Sequence, residues 1–338
     1  MPAATRLAGA SGFLPMAFRL KIDEPIAKGF RRIGVEQIDR ARRQLASATD
    51  PATEIHEARK AIKRIRALLR LGREGLGDEV FRNENTAFRS IAASLASARD
   101  DHVLLQTLAK LAAEEPGNGT EPALDSLKTA ILNVRARASD GEDSDDGRTE
   151  ADAGLEQARR RFRKLKLEPD SFATLERGFV RNYRKAMACG EAAYAVETDD
   201  AFHEWRKCVQ TFWRHLVLFS RAWPSLFQAH IEATRELSQI LGDDHDLALL
   251  RQKLAELAGV VSPHDAETID TLISARQAGL RRAARPRGEI IFAERPKAIG
   301  RRIAAVWEGA VKLRHADAHD EAPDAELLRP QEQVEQRG

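Results

Sequence analysis

The chain has 338 residues, 43% hydrophobic and 31% charged, with 54 Lys and Arg against 52 Asp and Glu. It exceeds the ~100–200 residues of an ordinary domain, so one large or two smaller domains with a packed core are expected, and wholesale disorder is excluded. No apolar run approaches the ~18 residues of a membrane-spanning helix, and two cysteines, Cys189 and Cys208, are too few for a disulfide framework or a four-thiolate zinc site.

Residues 1–17 are mildly apolar but interrupted by Gly9, Ser11, Gly12 and Pro15. They read as a disordered or mis-assigned N-terminus, with Met16 as an alternative start, rather than as a signal peptide, and the protein is expected to be cytoplasmic. From there nearly every segment repeats at helical spacing and is rich in Ala, Leu, Arg, Glu and Gln. Predicted helices in the first half are Glu24–Ser47, Pro51–Arg73, Asp78–Ala98, Asp100–Glu114 and Pro122–Ala138. The second half offers Asp152–Lys166, Asp170–Gly190, Thr198–Arg221, Pro224–Leu241, Asp244–Leu257, His264–Arg285 and Arg295–Leu313. Asp50-Pro51, Gly77-Asp78, Trp223-Pro224 and Gly242-Asp243 mark helix ends. Ile290-Ile291-Phe292 is strand-like but too short to found a sheet. The fold class is all-α.

Charge is unevenly placed. Residues 140–152 hold seven acids against Arg148, and residues 316–338 hold seven against Arg329 and Arg337. The first stretch reads as an acidic linker and residues 315–338 as an acidic disordered tail. Without these two segments the body carries about +13, a surface suited to a polyanion.

The chain repeats itself. His56-Glu57-Ala58-Arg59-Lys60 recurs as His203-Glu204-Trp205-Arg206-Lys207, Leu95–Asp100 is echoed by Leu241–Asp246, and Gly29-Phe30-Arg31-Arg32 by Gly178-Phe179-Val180-Arg181. Three markers in one order argue for a duplicated helical bundle, residues 18–139 and 153–314, joined through the linker. On a helical wheel His56, Arg59, Lys60, Lys63, Arg66 and Arg70 share one face beside an apolar stripe of Ile55, Ala58, Ile62, Ile65, Leu68 and Leu69. That cationic ladder runs about 21 Å. The second copy aligns His203, Arg206, Lys207, Arg214 and Arg221, with Gln210 and Trp213 where the first has Lys63 and Arg66. Seven bases between Arg59 and Arg73 exceed what acids on the same helix could neutralise, so an external anion is expected.

Arginine forks and lysine charges suit phosphate. There is no G-x-x-x-x-G-K or G-x-G-x-x-G loop, so a compact nucleotide site is unsupported. The first ladder has no aromatic for stacking bases, and Trp205 and Phe212 fall on the core side of the second. A long, unadorned phosphate chain needs neither.

With His56-x-x-Arg59-Lys60-x-x-Lys63-Arg64-x-Arg66 and its repeat, the sequence resembles the CHAD family, the conserved-histidine α-helical domain. Leu95–Asp100, Leu241–Asp246, Gly288–Lys297 and Trp307 carry the resemblance further, over most of Phe18 to Lys312. It implies two pseudo-symmetric antiparallel four-helix bundles around a basic groove, binding of inorganic polyphosphate, and association with polyphosphate granules. The residues it assigns to binding are His56, Arg59, Lys60, Lys63, Arg66, Arg70, His203, Arg206, Lys207 and Arg214, with Arg32, Arg181, Asp100 and Asp246 in support. Gln210 and Trp213 depart from the basic pattern, so the second half-site is expected to be the weaker. The E-x-E-x-K motif of the triphosphate-tunnel domain attached to many relatives does not occur, so the chain reads as a stand-alone member.

Three other readings compete with this one. Metal binding is disfavoured because Lys60 and Lys207 stand where H-E-x-x-H requires a second histidine. The cluster Asp243-Asp244-His245-Asp246 reads as helix capping and ion pairing. A metal-dependent (poly)phosphate hydrolase would draw on Asp100, Asp243, Asp244 and Asp246, which no motif arranges. Nucleic acid stays an alternative partner, because counterion release serves any polyphosphate backbone. The expectation is a binding module rather than an enzyme, without catalytic residues, resident metal or cofactor, and without a membrane partner.

Overall fold

The structure is a computed structural model that describes residues 18–320, apart from 48, 96–99, 115–118 and 139–143. The expectations for residues 1–17, for the first part of the acidic linker and for 321–338 fall outside the described residues, as do the side chains of 100–102, 135, 137–138, 144–146 and 318–320. The elements are helices α1 (Ile26–Ala46), α2 (Pro51–Leu76), α3 (Asp78–Ser94), α4 (Asp100–Glu114), α5 (Glu121–Ala138), α6 (Ser144–Phe162), α7 (Phe172–Val196), α8 (Asp199–Phe219), α9 (Pro224–Glu256), α10 (Pro263–Ile291) and α11 (Pro296–Asp320). The protein is all-α. The caps read from the sequence operate at three places. The Asp50 carboxylate accepts from Thr53 N–H at the start of α2, Gly77 ends α2 at a φ of 79°, and Pro224 opens α9.

Several boundaries depart from the sequence expectation. First, α9 runs unbroken through Gly242-Asp243 for 33 residues. A single glycine costs a helix only about 1 kcal/mol, and an added Cβ would meet the Arg206 guanidinium Nε at an ordinary 3.6 Å, so nothing at this position forces a break. Second, α10 passes through Pro286 to Ile291, which absorbs the strand-like Ile290-Ile291. Third, α6 begins at Ser144, so residues 144–152 of the expected linker are helical, and at the other end the expected tail residues 315–320 extend α11. Tertiary pairing explains the α6 start. Arg148 donates to the carbonyls of Leu45 at 2.7 Å and Ser47 at 2.5 Å and reaches Glu54 at 3.2 Å, while Asp152 meets Arg42 at 2.8 Å. These charges fasten α6 to α1 and α2.

Packing cuts across the sequence division at 140–152. Helices α1, α2, α3 and α6 form one four-helix group, with Phe30 stacked on Phe162 at 5.7 Å. Helices α7, α8, α9 and α11 pack beside it, and α2 touches both α7 and α8. One core runs through all of these, from Phe18 to Trp307. A second, smaller core joins α4 and α5 to the outer parts of α9 and α10, through Leu104, Leu108 and Leu127 against Leu250, Leu254 and Ile273. The physical reason is coverage. The long arm of α9 and α10 projects an apolar stripe that the α4–α5 pair, otherwise half-exposed, can bury.

The junction of α2 with α7 and α8 positions the site. At Gly178 the backbones of α7 and α2 meet so closely that a Cβ would lie 1.8 Å from the Leu71 carbonyl oxygen. His215 of α8, fully buried, faces the Ala67 carbonyl of α2 across 2.9 Å.

Candidate functional site

The apolar stripe read from the sequence is the buried face of α2, with Ile55, Ala58, Ile62, Ile65, Leu68 and Leu69 all in the core. Its other face, together with α7 and α8, encloses a cleft of about 230 Å³. Lys63, Arg66 and Arg70 enter it from α2, Asn182 and Lys185 from α7, and Glu204, Lys207, Cys208, Gln210, Thr211 and Arg214 from α8. Both ladders thus meet in one space. Among its described lining residues Glu204 is the one acid, and it is paired with Lys207.

Six cations in so small a space change one another. Burial pulls Arg214 down to about 9, helped by the neighbouring charges of Arg64, Arg70 and Arg206. Arg66 falls to about 10 through burial and its neighbours Arg70 and Arg89, while its Nε donates to Asn85 at 3.2 Å. Burial also lowers Arg70 and Arg206. The charges of Glu204 near Arg70 and of Asp246 and Asp243 near Arg206 do not offset this desolvation, so an incoming anion has much to gain here. The Arg206 Nε makes no hydrogen bond among the described residues.

Beyond the cleft the line of charge continues to a histidine pair. His203 of α8 lies flat on His245 of α9, ring centroids 3.8 Å apart and planes 29° from parallel. Burial holds both rings below their usual range. Lys207 and Arg206 add to this for His203, while His203, Arg206, Lys63 and Lys207 help bring His245 to about 3. Both imidazoles are therefore neutral at pH 7.

The remaining expected residues are dispersed. At the start of α2, Arg59 donates to the Leu95 carbonyl at 3.2 Å and Lys60 pairs with Glu57 at 2.6 Å, outside the cleft lining. His56 lies on the same turn, half-buried. Arg32 is occupied elsewhere, by Glu24, by Glu36 at 3.1 Å and by the Arg19 carbonyl at 3.0 Å. Arg181 pairs with Glu74 and donates to the Arg70 carbonyl at 2.6 Å, bracing α7 on α2. Asp246 faces the α4 side, in a separate hollow with Lys110 and Asp243, and acts on Arg206 through its charge. Asp100 opens α4, and its side chain is outside the description.

Sequence reasoning missed Lys185, Asn182 and Thr211 as cleft residues and His245 as the partner of His203. Lys185 carried a signal, standing one turn beyond Arg181. His245 was hidden by the expectation of a helix break at Gly242, which made the cluster look like a cap. Of that expectation the ion pairing holds, since Asp243 meets Lys110 at 2.9 Å and Asp244 meets Arg281 at 2.8 Å; the capping does not, because α9 continues. The described residues include no group of three or more His, Cys, Asp or Glu placed to hold a metal ion. No described helix is long and apolar enough to cross a membrane.

A family model, the CHAD domain, matches residues 32–255, and the chain belongs to that family. Among solved structures, the crystal structure of the CHAD domain from the plant Ricinus communis is similar at 18% identity and a TM-score of 0.49, over 83% of this chain and 97% of that one. No curated protein matches.

Proposed function

We propose that the protein is a non-catalytic binding module for inorganic polyphosphate. The observation that carries this reading is the cleft shared by α2, α7 and α8, where Lys63, Arg66, Arg70, Lys185, Lys207 and Arg214 face one acid. Such a cluster is costly when empty and is relieved by a ligand with closely spaced anionic oxygens. The walls offer charge and few stacking surfaces, which suits a phosphate chain better than bases. A chain leaving the cleft along α8 would pass Arg206 and the His203–His245 pair. Membership of the CHAD family, whose resemblance implied polyphosphate, supports the same ligand. The reading extends to a cytoplasmic protein associated with polyphosphate granules. Engagement of Asp243 by Lys110 and of Asp244 by Arg281 leaves these acids to structural work, which supports binding over hydrolysis.

The test is calorimetric titration with long-chain polyphosphate and with duplex DNA of equal charge, each at two salt concentrations. Polyphosphate binds more tightly, with affinity falling steeply as salt rises. Equal or tighter binding of the duplex would overturn the assignment.

A further inference from the structure

Cys189 on α7 and Cys208 on α8, too few for a disulfide framework, face each other across the α7–α8 hairpin with their Sγ atoms 2.9 Å apart. Two thiols on adjacent antiparallel helices need only close from 2.9 Å to the ~2.05 Å of a disulfide. Cys208 also lines the cationic cleft, and Cys189 is partly exposed, so a molecule as small as a hydroperoxide can reach the pair. We propose that Cys189 and Cys208 are a peroxide-oxidisable dithiol that forms a reversible disulfide between α7 and α8. This site is independent of what the cleft binds.

The roles of the two sulfurs follow from their surroundings. The hydrogen bond between the thiols favours the Cys189 thiolate. Burial opposes it, Lys185 favours it, Glu204 opposes it and Lys207 favours it, and the net effect is a thiol well below its ordinary range. Cys208 is pushed up by the same hydrogen bond and by burial. The charge of Arg70 on α2 also reaches Cys208. Cys189 is therefore the attacking thiolate and Cys208 the resolving thiol. The Cys189 sulfur attacks one peroxide oxygen, the O–O bond breaks, and the departing hydroxide takes a proton and leaves as water, giving a sulfenic acid. The Cys208 sulfur then attacks that sulfur. The S–O bond breaks, the S–S bond forms, and the second hydroxide leaves as water with the Cys208 proton. Two thiols are oxidised and one peroxide is reduced to two waters. A small dithiol reverses the change.

The experiment exposes the full-length protein to stoichiometric hydrogen peroxide and reads intact mass and thiol labelling under denaturing, non-reducing conditions. The expected result is a monomer lighter by about 2 Da, both cysteines blocked, and full recovery with dithiothreitol. Cys208→Ser accumulates a dimedone-reactive sulfenic acid on Cys189, whereas Cys189→Ser leaves Cys208 unreacted. Wild-type protein that keeps both thiols, gains oxygen atoms without losing 2 Da (about one hydrogen pair), or links into dimers would overturn the proposal.

Discussion

His203 lies stacked on His245, with 3.8 Å between ring centroids, and joins α8 to α9 at the end of the cationic line. Neither ring can take a proton without facing the other, Arg206 and Lys207. An anion along α8 reverses that field and favours the imidazolium. Polyphosphate binding is therefore expected to take up protons and to tighten as pH falls below about 6.5, the ordinary histidine value, toward the lowered range the two rings keep in the empty protein. Titration in buffers of different ionisation enthalpy measures the uptake. His203→Gln with His245→Gln abolishes it; equal uptake by wild type and double variant would show that these rings are spacers.

The cleft ranks the ladder residues differently from the sequence. Lys207 and Arg214 line it, while Arg59 and Lys60 are engaged outside it. Lys207→Ala with Arg214→Ala is expected to weaken polyphosphate binding by about tenfold per residue, at ~1.5 kcal/mol for each charge-assisted contact. Arg59→Ala with Lys60→Ala costs less, and Arg32→Ala leaves affinity unchanged. Affinities at two salt concentrations provide the check, since each lost phosphate contact also makes the salt slope shallower by about one.

His215 links pH to stability. It is fully buried between α8 and α2, and burial pulls it down to about 3. The unfolded chain takes up this proton as pH falls below about 6.5, whereas the folded protein resists until near 3. The folded state is thus fully favoured above pH ~6.5 and loses stability as pH falls through that window. Urea unfolding of His215→Gln at a series of pH values is expected to show a shallower loss than wild type.

Two glycines make opposite predictions. Gly178→Ala forces a Cβ within 1.8 Å of the Leu71 carbonyl and is expected to destabilise by about 3 kcal/mol or more. Gly242→Ala meets Arg206 at an ordinary 3.6 Å, and helix propensity should make it neutral to stabilising by about 0.5–1 kcal/mol. Thermal melts of the two variants distinguish a close helix contact from a tolerant one.

Asp244 is 1% exposed and depends on Arg281, which also holds Asp199 and sits 4.2 Å over the Phe202 ring. Arg281→Ala strands a buried carboxylate and is expected to cost about 3–5 kcal/mol. Adding Asp244→Asn recovers part of the loss, as denaturant midpoints will show.

The helical class and the buried faces were legible because they depend on local spacing. Ile55, Ile62 and Leu69 announce one face of α2 in the sequence itself, and all three are buried. The convergence of Lys63 and Arg70 with Lys207 and Arg214 was foreshadowed by the repeat, since like charges recurring in register imply a shared role. Lys185 and His245 depend on which helices become neighbours, and composition does not encode that. Gly242 and Pro286 misled for a related reason. Local breakers signal an end, but packing of Leu241 on one side and Ile291 on the other carries the helices through.

The partnership of α4 and α5 with the arm of α9 and α10, set against the docking of α6 on α1 and α3, has a consequence for how the chain can be divided. A fragment ending before α6 would carry Leu104, Leu108 and Leu127 without the α9–α10 arm that covers them and would leave Phe30 without Phe162. The complementary fragment would present a bare arm and a stray helix. Although the sequence looks like two modules in tandem, each half expressed by itself is expected to be poorly soluble, because each lends helices to the core of the other.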